Sequence, residues 1–437
     1  MSARETALCA LIACRKDGAW SNSVLKEYAQ RDGLDSREAA LAARLCYGVL
    51  QNRGKLDFYL KQLLRGKLKD LHPAVRDILH LGLYQLYEMD KIPASAAVNE
   101  SVCLAKKYCK KIPNAAPLVN GVLRNAVRTL GTLQKPTSYA DLYSHPQKLV
   151  DILKESVGKE RLQRMLQANN EAVPTVVQVN TLRTDTNTLC RLLEQEGVSC
   201  QKHPWLPDCL ILSGTGSMEL LETFRKGLFY VQDAAARLSV LCARLKPGMH
   251  VLDCCAAPGG KSFAAALEMS GSGQITSCDI HPHKITLIQN GIQRLGLSNV
   301  EATLQDAAET CPDWIGKMDA VIADVPCSGY GIIRKKPDIR YKDPDTMLQL
   351  PQLQRQILGT QARYVKPGGV LLYSTCTVLQ RENEDVVATF LQENNDFYLE
   401  KLELPVVFPA ENPGYLTLVP GEYDTDGFFI CRLRRKL

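Results

Sequence analysis

From residue 233 to its end the chain alternates with unusual regularity. Short apolar, β-branched runs (HVLDCCA, QITSCDI, MDAVIADVPC and GGVLLYSTC) are separated by GKSFAAALEM, HKITLIQNGIQRLG and QLQRQILGTQARYV, whose apolar residues recur at spacings of three and four. Strands that alternate with amphipathic helices bury both faces of a sheet, which predicts a doubly wound, mostly parallel α/β domain over 233–437. Such a sheet binds ligands at the carboxyl ends of its strands, so the loops there become the place to look for chemistry.

The first of these loops, LDCCAAPGGKS, ends in Gly-Lys-Ser as a phosphate-cradling loop would. The motif G-x-x-x-x-G-K-[ST] needs a glycine where this chain has Cys255, and G-x-G-x-x-G fails because Gly259 and Gly260 are adjacent. Further strand-end loops carry Asp279 in CDIHPH, Asp306 in LQDAAE and Asp324 in ADVPCSGYG. One acidic residue after a strand is more often a helix cap than a ligand. Three of them around one glycine loop favour a nucleoside-like ligand without a triphosphate, with Asp279 placed to bind ribose hydroxyls and Asp306 to hold an adenine amino group. S-adenosylmethionine fits that description.

Two cysteines stand at strand ends in the same half of the sheet, Cys327 after Asp-Val-Pro and Cys376 after Ser-Thr. A single cysteine among sixteen would be structural, but two thiols at the ligand edge of one sheet point to catalysis. C5 of cytosine is a poor nucleophile. A thiolate adding to C6 pushes electron density to C5, which then accepts a methyl group, and a second group must help remove the C5 proton and expel the thiolate. Spacing alone does not choose which thiol attacks.

At 437 residues the chain exceeds what one core organises, so more than one domain is expected. Residues 1 to about 130 read as successive helices, among them REAALAARLCYGVLQNRGKLDFYLKQLL and a helix running from Pro73 to a break at Pro93. The stretch TLQKPTSYADLYSHPQ (132–147) reads as a linker. A helical connector then leads to strand-like PTVVQVNT, the helix TNTLCRLLEQEG, and further strands in CLILSG and GLFYVQD, which together suggest a small α+β module. The net charge of +6 is modest, but KKYCKK and IIRKKPDIRYK concentrate it, which suits a polyanion without identifying one. With no C-x-x-C pair and no secretion signal, the cysteines are expected to be reduced, the chain cytoplasmic, and no metal is expected. No apolar run approaches the roughly 20 residues of a membrane span.

The stretches CCAAPGGK, DVPCSG with the downstream RKKPDIRY, and YSTCTVLQRENEDVV resemble the glycine-loop, Pro-Cys and Thr-Cys motifs of the RNA 5-methylcytosine methyltransferases. LHLGLYQLYEMDKIPASAAVNESVCLAKKY and PLVNGVLRNAVR resemble the NusB-like domain of one bacterial branch, the small-subunit (16S) ribosomal RNA methyltransferases of the RsmB (Fmu/Sun) type. The resemblance runs nearly end to end. It implies an all-α NusB-like RNA-binding domain over 1–135, a linker and small α+β RNA-contacting subdomain over 136–232, and a Rossmann-like class I methyltransferase domain over 233–437.

The same resemblance implies methyl transfer from S-adenosylmethionine to C5 of a cytosine in small-subunit ribosomal RNA, and nothing in the sequence suggests an obligate dimer, so a monomer is expected. It makes Cys376 the nucleophile and Cys327 the thiol that assists product release. It places the cofactor against Cys255, Ala256, Ala257, Pro258, Gly259, Gly260 and Lys261, and against Asp279, Asp306 and Asp324. Asn180 and Arg183 become RNA backbone contacts, and Arg334, Lys335, Lys336 and Arg340 are expected to track phosphates near the target. Departures are few: Cys254 replaces a larger aliphatic residue, Val325 the commoner alanine, and Cys431 a small residue, all of which bear on packing. The rival readings are a methyltransferase acting on transfer RNA or DNA, and a non-catalytic RNA-binding assembly factor.

Overall fold

Capping side chains set where the N-terminal helices begin. Ser2 accepts the Glu5 amide at the head of Ala3–Asp17, and Asp35 accepts the Glu38 amide at 2.8 Å ahead of Ser36–Leu63. Pro73, which has no amide hydrogen to lose, opens Pro73–Glu88. The computed structural model describes residues 1–129, 131–406, 408 and 412–437. These fall into two compact units, 1–154 with 335–342, and 155–334 with 343–437.

In the first unit these three helices pack with Ser21–Arg31, Ala94–Tyr108 and Ala115–Thr129 around one apolar cluster that includes Leu8, Leu45, Leu60, Ile78, Leu83 and Leu123. The helix expected to reach Pro93 stops earlier, at Glu88, where Met89 leaves helical geometry at φ −132° and ψ 77°, and the Ile92 amide closes a turn on the Met89 carbonyl at 3.0 Å. The stretch expected as a free linker is held to the bundle. It contains the short helix Tyr139–Leu142, the Ser144 hydroxyl accepts the Lys55 amide at 2.9 Å, and the Gln62 side chain accepts the Gln134 amide.

The second unit holds two sheets. The smaller has β1 Thr175–Val179, β2 Ser199–Lys202, β3 Cys209–Ser213 and β4 Phe229–Val231 in the antiparallel order β2-β3-β1-β4. Leu189 and Leu193 of the helix Thr186–Gln195 close its core over Val177, Val179, Leu210 and Phe229.

The larger sheet has parallel strands β5 His250–Asp253, β6 Gln274–Asp279, β7 Val300–Leu304, β8 Met318–Asp324 and β9 Val365–Thr375 in the order β7-β6-β5-β8-β9. The two-residue period of the strands divides them between two cores: Val251, Ala320, Ile322 and Leu372 join one cluster, and Leu252, Val321, Ala323 and Leu371 the other. Because the chain winds from β5 first to β7 and then back to β8, the switch point lies between β5 and β8.

Two parts of this sheet are not visible in the alternation. Strand β7, VEATL, is a partly exposed edge whose apolar residues are interrupted by Glu301 and Thr303. Beyond β9 the sheet continues with β12 Phe428–Arg435 antiparallel to it, and β10 Phe397–Leu399 and β11 Tyr415–Leu418 both pair with β12. Cys254, Val325 and Cys431, the three departures from the family pattern, lie buried together in one apolar cluster, so their effect is confined to packing.

Candidate active site

Strands β8 and β9 pair in parallel with Asp324 opposite Ser374, so the loops that follow them start side by side. Cys327 lies three residues beyond the first of this pair and Cys376 two beyond the second, and their sulfurs meet at 3.2 Å. Both thiols are half-buried. Hydroxyls of Ser328 and Thr377 tie the two loops together at 2.8 Å, and the Gly331 amide donates to the Cys376 carbonyl at 3.0 Å. A Cβ at Gly331 would stand 2.0 Å from the Gly427 carbonyl, so a side chain there would force the main chain apart.

On the other side of the switch point, the 253–261 loop turns sharply at Gly259, whose φ of 110° suits glycine and whose Cβ would fall 2.3 Å from the Phe263 ring. Gly259 caps the helix Gly260–Glu268, whose first turn carries Lys261 toward β8. Its ammonium donates to Asp324 Oδ2 at 2.6 Å, the Ser374 hydroxyl donates to Oδ1 at 2.7 Å, and the ammonium lies 5.0 Å from the Phe428 ring centre. Burial opposes the charge on Lys261, but Asp324, Asp253 and Cys376 outweigh it and the lysine is held above its ordinary value.

Beneath the loop, the Ser262 hydroxyl donates to Asp253 at 2.7 Å and itself accepts from Ser277 at 2.7 Å. Burial pushes the Asp253 carboxyl up to about 7 despite the Ser262 bond. The Cys327 thiol is pushed up by its hydrogen bond to Cys376, by burial, and by the charges of Glu382 and Asp324. The surroundings of the two thiols therefore differ: one faces carboxylates, and the other has the Lys261 ammonium within Coulombic reach.

Asp279 closes β6 with its carboxylate accepting the His281 amide at 3.0 Å and facing Lys284 at 3.4 Å. Asp306 follows β7 and accepts the Ala308 amide at 2.8 Å. The glycine loop and the three acidic residues thus gather along the carboxyl ends of β5 to β8.

The residues expected to contact RNA divide. Asn180 is fully buried, and its amide donates to the carbonyls of Gly227 at 2.8 Å and Leu295 at 2.9 Å, so it is a bracket inside the unit and not an RNA contact. Arg183 is exposed but spends a guanidinium nitrogen on the carbonyls of Lys226 and Arg294. Arg340 is 1% exposed and donates to the carbonyls of Gln51 and Ser144, which excludes it from tracking phosphates. Arg334 is buried beside Asp426 at 3.5 Å, also out of reach. Lys335 is half-buried and Lys336 is exposed, with its ammonium 5.5 Å from the Trp20 ring centre. In each corrected case a cation or amide read as a surface contact is consumed by main-chain carbonyls or by a buried acid.

Sequence reasoning assigned no role to Ser374, Gln354, Glu382 or Asn383, although all four reach the loops of the two cysteines or of Asp324. The available signal was the stretch QRENED directly after the Thr-Cys motif, polar yet bounded by apolar residues. Among the described residues, no group of three His, Cys, Asp or Glu side chains could hold a metal ion, and no helix is long and apolar enough to cross a membrane.

The geometry agrees with what the chain is similar to. Residues 240–434 match the model of the 16S rRNA methyltransferase RsmB/F family, residues 1–128 that of the NusB family, and residues 145–219 that of the RsmF/B-like ferredoxin-like domain. A Bacillus subtilis protein named "Probable ribosomal RNA small subunit methyltransferase B" is 36% identical over 446 residues, covering 100% of this chain and 99% of its own length. The crystal structure of a protein titled PH0851 superposes with a TM-score of 0.83 at 25% identity, over 99% of this chain and 98% of that one. NSun6 from Pyrococcus horikoshii, solved with SFG, shares the fold at a TM-score of 0.61 and 22% identity, over 67% of this chain and 99% of that one. This chain belongs to the ribosomal RNA small subunit methyltransferase B family, enzymes that methylate ribosomal RNA with S-adenosylmethionine as the donor.

Proposed function

We propose that the chain methylates C5 of a cytosine in small-subunit ribosomal RNA, with Cys376 as the nucleophile and Cys327 as the thiol that assists release. The observation that carries this reading is the 3.2 Å approach of two thiols at the carboxyl ends of adjacent parallel strands. A thiolate is favoured where a cation is near and disfavoured among carboxylates. The hydrogen bond to Cys376, burial, and the charges of Glu382 and Asp324 keep Cys327 protonated.

The residues present fit the cofactor. Asp279 accepts one amide and faces one lysine at 3.4 Å, short of the lone pairs a carboxylate offers, so it retains capacity for a ribose diol. Cys255 to Lys261 supply a tight backbone turn, and Asp306 and Asp324 flank it along the sheet edge. When bound, S-adenosylmethionine supplies an electrophilic methyl group.

In the sequence of steps, Cys376 adds to C6, forming the C–S bond and moving the C5–C6 electron pair onto C5, which takes the methyl group. The C5 proton then passes to water, its electron pair restores C5–C6, and the C–S bond breaks with its pair returning to Cys376 sulfur. Cys327, already hydrogen-bonded to that sulfur, stabilises the departing thiolate. The target base must be unstacked to reach both thiols, as enzymes that modify bases require.

The test is to assay Cys376→Ala and Cys327→Ala with labelled S-adenosylmethionine and small-subunit ribosomal RNA, and to run each protein on a denaturing gel. Loss of activity without adduct in the first variant, and accumulated protein–RNA adduct in the second, upholds both roles. The reverse pattern makes Cys327 the nucleophile. Label confined to transfer RNA in a mixed pool overturns the substrate.

A further inference from the structure

Both cysteine loops are held by residues of one short turn. After β9 the chain passes through Gln380–Glu382 and Asn383 before the helix Glu384–Glu393. Glu382 is fully buried, and its Oε2 accepts the Ser328 amide at 2.9 Å and the Gln354 amide at 3.0 Å. Gln354 also donates to the Pro326 carbonyl at 3.0 Å, so the residues before and after Cys327 are both fastened to this carboxylate assembly. The neighbouring Asn383 does the same for the other thiol. Its Oδ1 accepts the Thr375 hydroxyl at 2.6 Å and its amide donates to the Thr377 carbonyl at 3.0 Å, bracketing Cys376. The Tyr373 hydroxyl donates to the Glu382 carbonyl at 2.6 Å and anchors the turn to β9.

We infer that Glu382 and Asn383 are positioning residues that set the separation of the two thiols, Glu382 through the Cys327 turn and Asn383 through the Cys376 turn. The inference rests on the two-cysteine reading above. Neither side chain touches a sulfur in the hydrogen-bond network; each acts through backbone and hydroxyl groups of the residues flanking a cysteine. Two adjacent residues on one rigid turn therefore fix two loops that belong to different strands, and a shift of either loop changes which step of the reaction suffers. Reactivity that depends on a near-attack separation falls steeply when a reacting group moves by even about 1 Å.

The two grips predict opposite signatures. Glu382→Ala frees the Cys327 turn, so adduct forms and release fails: covalent RNA accumulates on denaturing gels as in Cys327→Ala, with turnover down roughly tenfold or more. Glu382→Gln keeps an acceptor for the Ser328 amide and restores release toward the parent level. Asn383→Ala frees the Cys376 turn, so adduct formation itself slows roughly tenfold and no adduct accumulates. S-adenosylmethionine binding and melting temperature, measured on the full chain, separate these effects from unfolding. Should Glu382→Ala unfold, the glutamine variant compared with Ser328→Ala and Thr377→Val carries the same test, since Ser328 and Thr377 tie the loops directly.

If Glu382→Ala and Asn383→Ala lose adduct and turnover in equal proportion, or if neither alters adduct yield, the inference is wrong. That failure is distinguishable from failure of the mechanism. Should Cys327→Ala itself give no adduct, the two-cysteine reading falls first; should it accumulate adduct while Glu382→Ala does not, only the positioning role falls.

Discussion

Lys261 donates to Asp324 at 2.6 Å across the switch point of the sheet, joining the glycine loop to the strand that leads to Cys327. The lysine side chain is 11% exposed and the aspartate 28%, so removing the cation leaves a carboxylate that water only partly screens. Lys261→Met is expected to destabilise the protein by about 1–3 kcal/mol, a buried-pair cost discounted for that exposure. Adduct formation is expected to fall roughly a hundredfold, because the strand end carrying Asp324 and Ser374 loses its tie to the glycine loop. A raised lysine value contributes stability that is fully present below about 10.4 and lost only above it. Activity changes between pH 6 and 9 therefore do not come from Lys261, and a Lys261→Met variant whose single-turnover rate matches the parent would remove this residue from the chemistry.

Asp253 gives a pH dependence of the same sign, but in the acid-to-neutral range. Its folded value of about 7 lies above that of an unfolded aspartate, so the folded state holds an extra proton between roughly pH 4 and 7. The contribution is fully present below the unfolded value and is lost as pH rises toward 7. Asp253→Asn removes the charge that burial penalises. Relative to the parent, the variant is expected to gain on the order of 2–4 kcal/mol between pH 4 and pH 8. Melting temperatures of both proteins across that range measure it, and a difference that does not vary with pH refutes it.

The hydrogen bond to Cys376, burial and two carboxylates hold the Cys327 thiol up, so it stays protonated near neutrality and reacts slowly with electrophiles. Brief iodoacetamide treatment at pH 7.5, followed by peptide mapping, is expected to label Cys376 ahead of Cys327, although both are similarly exposed. In Glu382→Gln, where one of the opposing charges is gone, labelling of Cys327 should rise. Equal labelling of the two cysteines in the parent protein would contradict the electrostatic asymmetry.

The parts of the site that lie within a few residues of a strand end were legible in the sequence, because the alternation fixes where strands stop. Cys327, Cys376, Lys261, Asp279 and Asp324 all belong to this class, whereas Asp306 follows a strand the alternation does not show. What escaped was set by contacts between distant stretches of chain. Asn180 is consumed by a carbonyl 115 residues away and Arg340 by one 289 residues away, and no local pattern distinguishes such a residue from a solvated one. Strands β10 and β11 were equally hidden, since each is short and both exist only by pairing with β12.

Arg340 offers the sharpest separation of these two kinds of residue. Read from the sequence it belongs with the basic stretch that follows Cys327, yet in the structure its Nη1 donates to the carbonyls of Gln51 at 3.0 Å and Ser144 at 3.2 Å. Hydrogen bonds from a charged donor are worth about 1.5–3 kcal/mol each, and part of that is returned when the cost of burying the guanidinium disappears. Arg340→Met is thus expected to lower the stability of the helical unit by about 2–4 kcal/mol. Its RNA affinity should keep the same dependence on salt concentration, because no phosphate contact is lost. Lys336, exposed in the same stretch, is the contrasting site: if it neutralises a phosphate, Lys336→Ala should reduce the slope of log affinity against log salt by roughly 0.7 while leaving the melting temperature unchanged. Filter-binding titrations at several salt concentrations, run beside thermal melts, measure both quantities. A reduced salt slope for Arg340→Met at unchanged stability would return that arginine to the RNA surface.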